Sequence, residues 1–157
     1  MIKIKNVAAY FCKNYPYKEE ISKARLTKMI YLADWFSALN TGSQITKIKW
    51  LFNHYGPYVD DVIDVVKSDS RFTISSDTTI YGSYKEKIVF VGADKDIEIS
   101  QDEKEILDFV INKTQNLYFN DFINYVYSTY PVSNKRRYST LDLASLAKEY
   151  KESVANG

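Results

Sequence analysis

The chain has 157 residues, 45% hydrophobic and 26% charged, enough for one domain that buries about 70% of the surface its unfolded form exposes. One cysteine, Cys12, excludes an internal disulfide, and Cys12 with the one histidine, His54, falls short of a structural zinc site. The net charge of +1 divides unevenly, with +6 over residues 1–57, −7 over 58–112 and +2 over 113–157, which excludes a uniformly basic nucleic-acid binder.

Ile4, Val7, Ala8, Phe11 and Cys12 recur at the spacing of an amphipathic helix, and Pro16 ends it. A longer helix is expected over 18–39, with Leu26, Met29, Ile30, Ala33 and Phe36 inward and Gly42 available for a left-handed cap. Lys28, Tyr31 and Trp35 are expected to share another face, opposite the stripe that packs. Residues 45–52 are mixed, readable as strand or helix, and run into His54-Tyr55-Gly56-Pro57. Gly tolerates positive φ and Pro presets the φ of a first helical turn, so Gly56-Pro57 reads as the entry to a helix carrying Val59, Val62, Ile63 and Val66.

Residues 71–91 turn β-branched and aromatic, alternating at Phe72/Ile74 and Ile88/Phe90 and broken at Asp77-Thr78 and Gly82-Ser83, which predicts two or three antiparallel strands. Ser100 and Glu103 have the spacing of a capping box ahead of Ile106, Leu107, Val110 and Ile111. Asn120 is the expected cap of a helix with Phe122, Ile123, Val126 and Tyr127 that stops at Pro131. A basic loop, Lys135-Arg136-Arg137, precedes a last helix with Leu143, Leu146, Ala147 and Tyr150, capped by Ser139 or Thr140, and residues 152–157 are expected to fray. The sum is a single α+β domain over 1–157, mainly helical, with about six helices and a small antiparallel sheet inserted around 71–91. No apolar run reaches the roughly 18 residues of a membrane span, and Met1-Ile2-Lys3-Ile4-Lys5 lacks a secretory apolar region, so no membrane is expected and the reading is cytoplasmic.

Chemistry has few candidates. Asp60, Asp61 and Asp64 form a DDxxD pattern that could hold Mg²⁺, but acids in a first helical turn also simply offset the helix dipole. Cys12 and His54 are the one thiolate–imidazole pair the composition permits, yet Cys12 lies on the apolar stripe of its helix. There is no phosphate-binding glycine loop, no nucleophile elbow and no HExxH motif, so the reading is not an enzyme and no cofactor is called for. Fourteen Tyr, 8 Phe and 2 Trp exceed what a core of this size absorbs, and Tyr suits half-buried interface positions. Trp35, Lys47, Lys49, Trp50, Tyr55 and Tyr58 are accordingly the candidate contact residues, with Tyr31, Ala33, Gly56 and Pro57 as scaffold. Lys47, Lys49, Trp50 and Tyr55 also interleave cations with aromatics, which keeps a nucleic-acid partner in view.

The block Leu26-Thr27-Lys28-Met29-Ile30-Tyr31-Leu32-Ala33-Asp34, then Gly42, then Tyr55-Gly56-Pro57-Tyr58-Val59 resembles the Panacea domain, also called the SocA-like antitoxin domain. That family carries a Lys-(x)2-Tyr-x-Ala helix followed by a glycine and an aromatic-Gly-Pro turn. This chain departs from the pattern at Asn53, where Trp is frequent, and at Tyr58, where Val often follows the proline. The resemblance implies a phage- or prophage-associated antitoxin that neutralises a toxin by direct contact, without cofactor or catalytic residues. The partner it implies is a cognate toxin or another host or phage protein. The rival readings are a nucleic-acid-binding regulator, a phage-encoded adaptor with a non-toxin target, and a Mg²⁺ enzyme built on the Asp60 cluster.

Overall fold

The structure, a computed structural model, describes residues 3–78, 81, 82 and 84–156, the side chains of Asp77 and Tyr84 excepted; Met1, Ile2 and Ser83, which entered the sequence reading, lie outside the described residues. It is an α+β chain dominated by helix, and its organising element is a central helix. Helix α1 (Ile4–Asn14) leads through a 3-10 turn at Lys18–Glu20 to α2 (Lys23–Thr41). The expected start of the long helix at residue 18 moves to 23 because Ser22 caps it: its hydroxyl accepts the Arg25 N–H at 3.1 Å. Gly42 ends the helix with a φ of 83° and returns its N–H to the carbonyl of Ala38.

From Arg25 to Ala38 every α2 residue except Phe36 is buried. The expected open face is therefore absent, since Lys28, Tyr31 and Trp35 are all interior. The physical reason is placement: α1, α3, α4, α5 and α7 pack around α2, and a helix enclosed on every side needs no polar stripe. Burial at this depth leaves Thr27 Oγ1 and Arg25 Nε without partners among the described residues, but the terminal nitrogens of Arg25 are well bonded. The Arg25 guanidinium donates to Tyr15 Oη at 2.7 Å and to the carbonyls of Thr114 and Leu117 at 2.8 and 2.9 Å. It also lies 4.4 Å from the centre of the Phe122 ring and pairs with Glu20 at 3.3 Å. One side chain thus ties the end of α1 and the stretch after α4 to the central helix.

After α2 the chain forms a small sheet where the Gly-Pro turn was expected to open a helix. Strand β1 (Trp50–Asn53) pairs antiparallel with β2 (Gly56–Tyr58) and, on its other edge, with β5 (Thr140–Leu141). Pro57 stands opposite Phe52. It is tolerated there because Phe52 turns both of its own backbone groups the other way, donating to Ser139 O at 2.8 Å and accepting from the Tyr138 N–H. The missing proline N–H leaves no ladder bond unmade on this edge strand. Helix α3 (Asp61–Ser68) begins only after the strand.

Strands β3 (Phe72–Thr78) and β4 (Tyr84–Phe90) make a two-stranded hairpin in register from Phe72↔Phe90 to Thr78↔Tyr84. Its inner positions Phe72, Ile88 and Phe90 join the core, as the alternation predicted. Helix α4 (Gln101–Thr114) carries the expected capping box, Ser100 Oγ accepting from the Glu103 N–H at 3.2 Å and Glu103 Oε1 from the Ser100 N–H at 2.8 Å. Helix α5 (Phe119–Ser128) starts from Tyr118 rather than from Asn120, which falls within its first turn. Pro131 does not stop that helix, which already ends at Ser128; it occupies the first turn of a short α6 (Tyr130–Asn134), where a backbone N–H has no helical partner and its absence costs nothing. For α7 (Leu143–Asn156) the capping side chain is Asp142, which accepts the Ser145 N–H at 3.2 Å, because Thr140 is spent in β5 and Ser139 precedes it. The helix continues to Asn156, past the point where fraying was expected.

Among the described residues no helix is long and apolar enough to cross a membrane.

Candidate functional site

The segment between α2 and β1 is organised by one buried carboxylate. Asp34 accepts the Thr46 N–H at 2.9 Å, the Thr46 hydroxyl at 2.6 Å, the Trp50 indole N–H at 2.8 Å and the Gln44 amide at 3.3 Å. Burial pushes its pKa up to about 6, against the hydrogen bonds from Thr46 and Trp50 that favour the ionised form. With Thr46, Ile48 and Trp50 held inward, Lys47 and Lys49 alternate outward into solvent. Tyr31 completes the anchor, its hydroxyl 2.9 Å from Thr129 Oγ1 and its ring edge-on to Trp50 at 5.6 Å.

This arrangement corrects two of the contact candidates. Trp50 is 1% exposed and Trp35 is 3% exposed, so neither indole is presented to a partner. Trp35 was expected on a helix face with Lys28 and Tyr31, and Trp50 among interleaved lysines, yet the enclosed helix and the strand alternation turn both rings inward. Tyr31 and Ala33 lie wholly inside, and Gly56 and Pro57 are buried in the edge strand.

The remaining candidates divide. At the tip of the β1–β2 hairpin, His54 and Tyr55 form a two-residue turn between Asn53 and Gly56, with Asn53 Oδ1 accepting the His54 N–H at 2.8 Å. The positive φ that closes this turn falls on Gly56, at 99°, where a β-carbon would lie 3.5 Å from the Tyr127 ring. Tyr55 is 75% exposed and meets the His54 ring edge-on at 4.5 Å. Against this tip lies the loop that follows α6. Its Tyr138 is the one non-glycine residue with positive φ among the described residues, at 67°, and its hydroxyl is 3.3 Å from His54 Nδ1.

A bulky residue in the left-handed region costs on the order of 1–2 kcal/mol, and here the Tyr138 N–H bond to the Phe52 carbonyl and the Phe52 N–H bond to Ser139 hold the backbone there. The strained residue gains little burial: apart from the His54 contact it is 67% exposed. Lys135, Arg136 and Arg137 precede it on the same loop, exposed and without ion-pair partners among the described residues. The structure thus brings together His54, Tyr55 and Tyr138 beside three unpaired cations.

The other candidates sit elsewhere. Lys47 lines a shallow hollow of about 460 Å³ with Lys3, Lys5 and Asp61. Tyr58 is half-buried, its phenol shifted upward by burial and by the Asp60 carboxylate that accepts from it, with Asp64 and Glu86 near. Asp60 and Asp61 therefore serve different surroundings, and among the described residues no group of three or more His, Cys, Asp or Glu is placed to hold a metal ion. Cys12 is buried in α1, its thiol pushed up to about 12, while His54 is exposed at the hairpin tip.

The part of the surface that sequence reasoning missed is the contribution of His54 and Tyr138. The basic triplet beside Tyr138 was visible, but no local pattern announces that residue 138 returns to residue 54.

The family model for the antitoxin SocA-like Panacea domain matches residues 26–131, about two thirds of the chain. The chain belongs to this family. No curated protein and no solved structure matches it. In this Panacea domain the matched stretch runs from α2 to the start of α6 and so contains both the buried anchor and the hairpin tip. The loop carrying Lys135, Arg136, Arg137 and Tyr138 lies beyond the matched stretch, so the exposed cluster joins a family element to a flanking one.

Proposed function

We propose that this Panacea domain is a cytoplasmic antitoxin that neutralises a partner toxin by direct protein contact, with no catalytic step and no cofactor. The contact surface is the hairpin tip and the loop against it: His54, Tyr55 and Tyr138 as rigid aromatic anchors and Arg136 and Arg137 as steering charges. The observation that carries this reading is Tyr138, an exposed phenol held at a positive φ of 67° beside His54. The Phe52 bonds hold the backbone there, but the side chain gains little burial from it, and presenting the ring to a partner accounts for the choice of an aromatic at this position. The cations favour a toxin face with acidic groups. Lys49 and Tyr58 stand as proposed peripheral contacts, since both reach the surface near the hairpin.

A nucleic-acid partner is the second reading, because exposed tyrosines beside arginines also form a stacking platform for single strands. The acidic middle third, at −7 over residues 58–112, weighs against it.

The test is affinity capture from the native host with tagged wild-type protein beside Tyr55→Ala/Tyr138→Ala and Arg136→Glu/Arg137→Glu, read by mass spectrometry, followed by co-expression of any captured protein. One stoichiometric protein, lost in both variants and toxic unless the wild-type domain is present, is the expected result. A captured protein that is not toxic makes the domain an adaptor. Nucleic acid alone in the eluate, or equal capture by all three forms, overturns the reading.

A further inference from the structure

From Arg25 onward helix α2 is enclosed except near its C-terminal end, where Phe36 and Leu39 stay half-exposed. These two residues line two adjoining hollows. One, of about 430 Å³, crosses Ile106 and Phe109 of α4 and reaches the carboxylates of Asp102 and Glu105. The other, of about 270 Å³, passes Trp35 toward Thr129, Tyr130 and Tyr150. Phe36 and Leu39 line both, so the two hollows flank the same end of the central helix and together form a groove.

Its floor is already set. The Phe36 and Phe109 rings meet edge-on at 5.0 Å, Trp35 and Tyr150 at 6.2 Å, and Tyr130 and Tyr150 at 5.2 Å. Phe109 remains 42% exposed and Tyr150 38%, which leaves apolar surface open to a partner.

Charge and backbone chemistry select the occupant. Asp102 and Glu105 are exposed, three residues apart on α4, and have no ion-pair partner among the described residues. At the other end the Tyr130 hydroxyl donates to the Glu149 carboxylate, so acidic groups stand at both ends of the groove. The aromatic wall accepts a cation as well: Lys113 Nζ sits 5.5 Å from the centre of the Phe109 ring. Nearly all of the lining belongs to helices, and Phe36, Ile106 and Phe109 at its centre have their backbone groups bonded within those helices. An extended peptide would find little there to pair its N–H and C=O groups, whereas a helix brings its own bonds satisfied.

We propose that this groove docks a positively charged amphipathic helix of a partner protein, its apolar stripe on Phe36, Leu39 and Phe109 and its flanking Lys or Arg against Asp102, Glu105 and Glu149. The site shares no residue with the His54–Tyr138 surface and goes beyond the toxin reading without depending on it.

The test uses two fluorescein-labelled, alanine-based helical peptides with the same Leu/Phe stripe, one flanked by lysines and one by glutamates. Each is titrated by fluorescence anisotropy into the full-length wild-type chain, Asp102→Lys/Glu105→Lys and the milder Asp102→Asn/Glu105→Gln, all with circular dichroism matching wild type. The lysine peptide is expected to bind wild type at least tenfold more tightly than the charge-reversed variant, with the neutral variant between them. The glutamate peptide is expected to show the opposite order. Hydrogen exchange should slow at 36–41 and 102–109 on binding. Equal binding of both peptides, indifference to the substitutions, protection at 54–58 or 135–139 instead, or concentration-dependent dimerisation that excludes the lysine peptide would each overturn the proposal. The charge variants leave Tyr55, Arg136 and Tyr138 intact, so failure here is distinguishable from failure of the toxin reading.

Discussion

The Trp50 indole N–H donates to Asp34 Oδ2 at 2.8 Å, and this bond joins the central helix to the first strand of the hairpin sheet. The same ring packs edge-to-face with Tyr31, so Tyr31 and Asp34, both in the block that resembles the family, position the strand that leads into the His54–Tyr55 turn. Trp50→Phe keeps an aromatic ring and removes the donor, leaving a buried carboxylate short of one partner. The expected loss is about 1–3 kcal/mol of unfolding free energy, read by urea denaturation. A loss below measurement error would show that the ring alone positions the strand.

Asp34 also makes stability depend on pH. Its carboxyl is held at about 6 in the fold against an ordinary value of 3.8 in the unfolded chain, so the folded state binds the proton more tightly. The contribution is therefore complete below about pH 4 and is lost as pH rises through about 6, by roughly 3 kcal/mol at most. Asp34→Asn removes this component. The difference in unfolding free energy, wild type minus variant, should shrink between about pH 4 and pH 7 in parallel urea titrations; a difference that widens with pH contradicts the assignment.

Gly56→Ala isolates the hairpin turn. A β-carbon there stands 3.5 Å from the Tyr127 ring, which is ordinary contact, so the penalty comes from the φ of 99°. The expected destabilisation is about 1–2 kcal/mol. Chemical denaturation measures it, and no change would mean that the turn relaxes to a negative φ.

Tyr138→Gly separates stability from recognition. Glycine relieves the left-handed strain at φ 67° but gives up unfolded-chain entropy, and the two effects nearly cancel, leaving a net change within about 1 kcal/mol. Binding of the captured partner should nevertheless fall at least tenfold in a direct titration. A large stability loss with unchanged binding would assign Tyr138 a structural role instead.

Cys12 is 4% exposed and its thiol is pushed up to about 12 by burial, so almost no thiolate is present at neutral pH. A colorimetric disulfide reagent should leave the native protein unmodified for hours and titrate one thiol once urea is added. Fast reaction of the folded chain would reveal opening of α1.

Elements announced by their own residues were legible without coordinates. The Gly42 cap, the Ser100/Glu103 box and the alternation of β3 and β4 each act within one turn or one strand, and each stands in the structure. The sheet around Trp50 was not legible in this way. Its strands are four, three and two residues long, too short for a periodic signal, and Trp50 pairs with Leu141 across most of the chain. The caps at Tyr118 and Asp142 escaped for a related reason: more than one polar or aromatic residue precedes each helix, and neighbouring structure decides where each helix begins.

For the candidate surface the division is sharper. The sequence by itself determined the family, through the spacing of Lys28, Tyr31, Ala33, Gly56 and Pro57; it marked Tyr55 as a contact candidate and showed Lys135-Arg136-Arg137 as a basic loop. Only the tertiary structure decided that Trp35 and Trp50 face inward, that Tyr58 turns to Asp60, and that Tyr138 meets His54. Side-chain direction follows from which neighbours enclose α2 and β1. Those neighbours come from distant segments, so the decision rests on packing, which no local pattern encodes.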